Sequence, residues 1–226
     1  MDSYIIQKTT IINENKKIEG SVVIEDGIIA KIIPNNEDIT GKYADYRIIN
    51  GNGFVLLPGI IDDQVHFRDY ELSYKGDIHS ESGAAVSGGI TSYMDMPNTK
   101  PQTITNKLLE DKYNLGADTS LSNFSFYMGA TNDNIRELEK IQKDKVCGIK
   151  VFMGSSTGNM LVDKNDSLEL IFSISDIPIA THCEDEAIIQ KNLKEAKSAY
   201  RNSNYPYNIH SKIRSEEACY RSSSKA

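Results

Sequence analysis

From residue 54 onward, short β-branched apolar runs alternate five times with longer helical stretches, and this alternation limits the fold more than any other feature. The runs cover residues 54–57 with 60–61, 90–96, 124–128, 146–153 and 178–182, too short and too β-branched for helices. Helical composition fills 78–87, 105–117, 134–141, 168–173 and 184–200. Gly88-Gly89 stops the first helix, and Pro97 stops the second strand. Repeated strand–helix units require a parallel sheet, and five in succession point to a barrel more than to an open sheet. The expected fold is therefore α/β, a partial (β/α)8 TIM barrel over residues 54–226. A full barrel needs eight units and roughly 250 residues. Too few residues follow position 53 for that, so the chain is expected to be the N-terminal part of a longer protein. Five strands alone would also leave parallel edges unpaired.

Residues 1–53 have a different pattern. Apolar runs at 4–6, 21–25 and 28–33 surround Asp26-Gly27, a hairpin signal, so a small β-sandwich module is expected before the barrel. Residues 215–226 have helical composition.

Composition narrows the function. The 226 residues carry a formal net charge of −7 with scattered Lys and Arg, which excludes a nucleic-acid footprint. No apolar stretch reaches the ~18 residues of a membrane span, and the N-terminus lacks the basic and apolar regions of a signal peptide, so a cytoplasmic protein is expected. Cys147, Cys183 and Cys219 are far apart, which indicates neither a disulfide framework nor a thiolate zinc site. Cys147 and Cys183 read as small buried hydrophobes.

Polar residues are concentrated where strands end. After Ile60-Ile61 the sequence switches to Asp62, Asp63, Gln64, His66 and Arg68; the strand period of two places Asp62, Gln64, His66 and Arg68 on one face. An isolated strand histidine is more often structural, but charged groups do not crowd a strand mouth without a ligand to bind. Lys150 interrupts an apolar strand, and a buried lysine is costly unless it is neutralised, modified or snorkels from the strand end. His182 closes the fifth strand in Ala180-Thr181-His182-Cys183-Glu184. Asn98 follows the second strand, where an Asx turn is the plain alternative to a binding role. The run 154–158 lacks the Gly-Lys-Ser/Thr ending of a phosphate loop and reads as a mobile loop. His79 and His210 are assigned no role.

Pro58-Gly59-Ile60-Ile61-Asp62-Asp63-Gln64-Val65-His66 resembles the Pro-Gly-x-Ile-Asp-x-His-x-His signature of the amidohydrolase superfamily, and Phe67-Arg68 is similar to its dihydroorotase branch. Two positions depart: Gln64 stands where the family has a histidine, and Tyr70 where it commonly has a proline. The resemblance extends over essentially the whole chain. It implies one or two zinc ions, held by His66, by His182 and by Lys150 as a carbamylated bridge. Gln64 would offer only a neutral carbonyl oxygen, a poorer zinc donor than imidazole. The resemblance further implies that Arg68 and Asn98 hold a substrate carboxylate and that Asp62 orients the ligands. A histidine on strand six and a general-base aspartate on strand eight would lie beyond residue 226. The implied activity is that of dihydroorotase, interconverting N-carbamoyl-L-aspartate and dihydroorotate in pyrimidine biosynthesis, in a homo-oligomer, a dimer. The alternatives are a hydantoinase, dihydropyrimidinase or allantoinase, or a non-catalytic assembly partner, the last favoured by Gln64.

Overall fold

A computed structural model describes residues 3–37, 41–154, 158–174 and 176–226. The chain divides into two compact units, Met1–Gly59 and Ile60–Ala226.

The first unit is a mixed sheet of β1 (Tyr4–Asn13), β2 (Lys16–Glu25), β3 (Ile28–Pro34), β4 (Arg47–Asn50) and β5 (Val55–Leu56). Its order is β3-β2-β1-β4, with β5 also on β1. β2 runs antiparallel to β1 and to β3, while β4 and β5 run parallel to β1. Asp26 and Gly27 take φ of 52° and 79°, the left-handed pair of a tight hairpin. Glu14 and Asn15, at 48° and 59°, close a second hairpin that lacks the glycine signal. A small core of Ile5, Val23 and Ile33 packs with Tyr43 and Tyr46.

The second unit alternates β6 (Ile60–Val65), α1 (Ile78–Ser87), β7 (Ile90–Asp95), α2 (Asn106–Thr119), β8 (Asn123–Gly129), α3 (Ile135–Leu138), β9 (Gly148–Phe152), α4 (Asn165–Phe172), β10 (Ile179–His182) and α5 (Glu186–Ala199). Two short helices follow, α6 (Ile209–Arg214) and α7 (Glu216–Ser223). The strands lie in chain order from β6 to β10 and every pair is parallel, so the sheet is one curled half of a (β/α)8 barrel. Tyr93, Phe126, Met128, Ile149 and Val151 belong to one apolar core with Leu109, Leu138 and Ile171 of the helices. Alternation then turns Lys150 and Phe152 to the opposite, inner face. Local signals set the helix starts: Asp77 and Ser80 form a capping box on α1, and Thr105 caps α2.

Several sequence expectations change. The apolar run 54–61 is not one buried strand: Val55–Leu56 pairs with β1, and Ile60 begins β6, an edge strand whose Ile60 and Ile61 are exposed. Cys147 and Cys183 are half-buried and flank strands instead of filling them. The helix expected over 134–141 shrinks to a single turn, whereas the helical composition of 215–226 does give α7, and α6 precedes it across Ser215 at φ 36°. Residues 155–157 of the expected loop lie outside the described residues. No helix among the described residues is long and apolar enough to cross a membrane.

One polar contact lies wholly inside this core. Lys112 Nζ of α2 sits 2.6 Å from Asp95 Oδ2 of β7, both side chains essentially inaccessible to water. Lys112 also donates to the Met96 carbonyl at 3.1 Å and lies over the Phe126 ring. The other carboxylate oxygen, Asp95 Oδ1, accepts from the Phe67 backbone N–H at 3.0 Å, anchoring the segment that follows β6. Removing one partner of such a pair strands a charge in the interior. Lys112→Met is therefore expected to cost about 3–5 kcal/mol in urea unfolding, and Lys112→Met combined with Asp95→Leu to cost less than the single change. An equal or greater loss in the double variant would show that the Phe67 hydrogen bond outweighs the ion pair.

Candidate active site

The C-terminal ends of β6, β7, β9 and β10 carry the polar residues singled out in the sequence. His66 directly follows β6, and its Nδ1 lies 2.8 Å from Asn98 Oδ1 in the loop after β7. An amide oxygen can only accept, so Nδ1 carries the proton and Nε2 keeps its lone pair. Burial lowers the His66 pKa; the Asn98 bond opposes that, and the positive charges of Arg68 and Lys150 add to the lowering. His66, Arg68, Asn98 and Lys150 thus share one electrostatic neighbourhood.

Lys150 is 4% exposed, with Nζ 5.1 Å from the centre of the Phe152 ring. Among the described residues no carboxylate pairs with it. Burial holds its pKa below the ordinary lysine range, which favours the neutral, nucleophilic amine. On β10, His182 lies opposite Phe152 in register, its ring 6.0 Å away. Its Nε2 is 2.8 Å from Glu184 Oε2, and Glu184, only 5% exposed, is also gripped by Arg214 through Nε and Nη2.

Gln64 and Asp62 behave differently from these. The Asp62 carboxylate accepts from the Gln64 backbone N–H at 3.1 Å, so it steadies strand backbone, and the Gln64 residue is exposed. Arg68 is half-buried and makes no ion pair among the described residues. It begins three successive non-glycine residues in left-handed backbone: Arg68, Asp69 and Tyr70 have φ of 76°, 57° and 50°. Such strain persists only where surroundings impose it. Here Asp69 Oδ2 accepts from the Ile78 N–H at 3.0 Å, tying the segment to the start of α1, and the Phe67 N–H is held by Asp95. Burial raises the Asp69 pKa.

The donor chemistry suits a zinc ion. His66 Nε2 and His182 Nδ1 are each left free by the partner of the other ring nitrogen, and neutral imidazoles are good zinc donors. No three His, Cys, Asp or Glu side chains converge as a ligand set among the described residues. A cavity of about 460 Å³, lined by Met153, Val162, Leu168, Asp185, Gln190 and Arg221 among others, includes none of these residues in its lining.

Asp95, Lys112, Glu184 and Arg214 were not singled out in the sequence. Asp95 had a signal, a carboxylate ending the apolar strand Ile90–Met96, and Glu184 stood within the His182 motif. Lys112 and Arg214 gave none, since each lies in an ordinary polar helix.

No family model matches the chain. The dihydroorotase of Pyrococcus furiosus is 39% identical over 179 residues, covering 79% of this chain and 39% of that protein. The dihydroorotase of Methanothermobacter thermautotrophicus is 33% identical over 177 residues, covering 78% and 39%. The L-hydantoinase of Paenarthrobacter aurescens is 29% identical over 205 residues, covering 88% and 44%. Among solved structures, the L-hydantoinase (dihydropyrimidinase) from Arthrobacter aurescens superposes with a TM-score of 0.88 at 25% identity, over 100% of this chain and 49% of that one. The chain spans about two fifths to one half of the length of these relatives.

Two outcomes follow from the site's geometry. With its pKa lowered, Lys150 binds fewer protons folded than unfolded between its folded pKa and the ordinary lysine value, so its burial penalty is full below the folded pKa and fades as pH rises toward the ordinary lysine range. Lys150→Met in bicarbonate-free buffer is expected to raise the urea midpoint at pH 7, with the gain shrinking toward pH 10. Tyr70→Pro, which restores the family residue, forces φ near −65° onto a position at +50°. It is expected to cost more than about 1 kcal/mol, and an unchanged melting curve would contradict that backbone assignment.

Proposed function

We propose that this chain, which belongs to the amidohydrolase superfamily, forms the metal-binding half of a dihydroorotase that opens and closes the ring between dihydroorotate and N-carbamoyl-L-aspartate in pyrimidine biosynthesis. The observation that carries the reading is the company His66 keeps: Arg68, a guanidinium with no ion pair among the described residues, and Lys150, a buried amine with no carboxylate partner among them. An enzyme for an acidic ring needs a fixed guanidinium to receive the carboxylate, and a planar fork does so bidentately. A lysine whose pKa burial lowers gives up its proton more readily and is suited to attack carbon dioxide: its nitrogen forms the N–C bond, a proton leaves, and a carbamate anion replaces the amine.

In this reading His66 Nε2, His182 Nδ1 and a Lys150 carbamate would hold zinc, and the exposed Gln64 could offer only its neutral carbonyl oxygen. A bound zinc ion lowers the pKa of water toward neutrality and polarises the ring amide carbonyl. Arg68 fixes the substrate carboxylate and so the ring's position. Asn98, assigned by resemblance to the substrate, is here also the group that orients His66. The hydrolytic direction adds water across the amide C–N bond and yields the open carbamoyl amino acid; the biosynthetic direction reverses it in the cytoplasm.

The similarity to L-hydantoinases supports a second reading, a hydantoinase acting on neutral five-membered rings. Arg68 separates the two. On protein purified from its native source, zinc content and turnover of dihydroorotate and hydantoin would be measured together, with Arg68→Met beside the parent. The proposal expects zinc and dihydroorotate turnover, with a roughly 10- to 100-fold rise in KM for dihydroorotate on losing the charged hydrogen bonds. Turnover of hydantoin alone, indifferent to Arg68→Met, would move the assignment to the hydantoinases. Absence of both zinc and turnover would leave the non-catalytic partner.

A further inference from the structure

We propose that Glu184 and Arg214 are positioning residues that fix the tautomer and direction of the His182 ring. The inference rests on the reading of His182 as a metal ligand, but it concerns a property the metal-free chain already has.

Glu184 Oε2 lies 2.8 Å from His182 Nε2, and a carboxylate in that place accepts. In the neutral ring Nε2 is thereby committed to N–H, and Nδ1 is the nitrogen left with a lone pair. A half-exposed ring two residues along the chain from its acceptor would ordinarily be free to turn, so the carboxylate must itself be immobile. Four contacts make it so. Arg214 grips both Glu184 oxygens from the end of α6. Asn192 of α5 donates to the Ile213 carbonyl at 3.0 Å, holding the residue before Arg214. The Asp185 N–H donates to the Ala218 carbonyl of α7 at 3.0 Å, holding the residue after Glu184. Gly154 lets the backbone after β9 press against Glu184: a Cβ there would sit 2.3 Å from the Glu184 carbonyl oxygen.

The cost of this arrangement is visible at Ser215, whose φ of 36° turns the chain sharply between α6 and α7, while its hydroxyl accepts from the Ala218 N–H at 3.3 Å. One turn thus delivers both Arg214 to Glu184 and the Ala218 carbonyl to Asp185. A surface ion pair of no consequence would need none of these supports, and the carboxylate involved would not be 5% exposed. The arrangement matches the general logic by which the partner of a histidine's second nitrogen sets which nitrogen meets a metal.

The test uses the full chain with ¹⁵N-labelled histidine, stripped of metal, and reads the His182 tautomer from its two-bond ¹H–¹⁵N pattern. The parent is expected to show His182 protonated at Nε2 as a single species. Glu184→Gln and Arg214→Met are expected to give a mixture of tautomers, and Arg214→Lys to retain most of the parent pattern. Zinc affinity by chelator competition should fall roughly 10- to 100-fold in Glu184→Gln. Nδ1–H as the main tautomer of the parent, or an unchanged pattern in both Glu184→Gln and Arg214→Met, would overturn the proposal. Should Glu184→Gln not fold, the parent tautomer and Arg214→Met still decide it. If the protein proves to have no dihydroorotate turnover, the tautomer result stands by itself, so the two readings fail separately.

Discussion

The buried ion pair between Asp95 and Lys112 is the contact on which the order of the strand ends depends. Charges taken out of water at this depth are tolerable only with good geometry and with their remaining hydrogen-bonding capacity satisfied. Backbone meets part of this need: the Met96 carbonyl receives Lys112 and the Phe67 N–H supplies Asp95 Oδ1, while Asp95 Oδ2 has only the Lys112 ammonium beside it. The pair therefore joins β7 and α2 to the segment after β6. Because Phe67 is adjacent to His66 and Arg68, an ion pair in the apolar core sets the stance of two groups at the sheet's mouth. The left-handed backbone at Arg68, Asp69 and Tyr70 is imposed from both sides, by Asp95 before it and by the Asp69 link to α1 after it.

The two imidazoles are oriented by different chemistry. His66 is held through Nδ1 by the neutral amide of Asn98, whereas His182 is held through Nε2 by a carboxylate that an arginine secures. Opposite nitrogens are thus presented by the two rings. Between them Lys150 lacks an acidic neighbour among the described residues, and its burial is a standing cost that only neutralisation or modification relieves.

Most of the fold was legible from periodicity. β-branched runs of strand length, a glycine stop after α1 and a hairpin dipeptide at Asp26-Gly27 each act within a few residues, and each named the correct element. What failed was burial in the run 54–61: sequence alone does not say that Val55–Leu56 pairs with β1 while Ile60 opens another sheet. The strand-end residues His66, Lys150 and His182 were legible because polar groups in apolar strands stand out against their background. Lys112 and Arg214 were not, since a lysine or arginine in a helix is ordinary until a carboxylate far away in sequence turns out to face it. Glu14-Asn15 was missed for a related reason, a left-handed turn made without glycine.

The sequential order of the parallel strands has a consequence for biosynthesis. Each strand pairs with the one made just before it, so the sheet can grow one unit at a time as the chain emerges from the ribosome, without waiting for a distant partner. The strand ends mature on a different schedule. The stance of His66 is fixed once residue 112 has been made, but His182 stays without its clamp until Arg214 appears some way later. During that interval the nascent chain has its sheet before it has its second oriented imidazole. His66 is therefore ordered while the His182 ring is still free to turn.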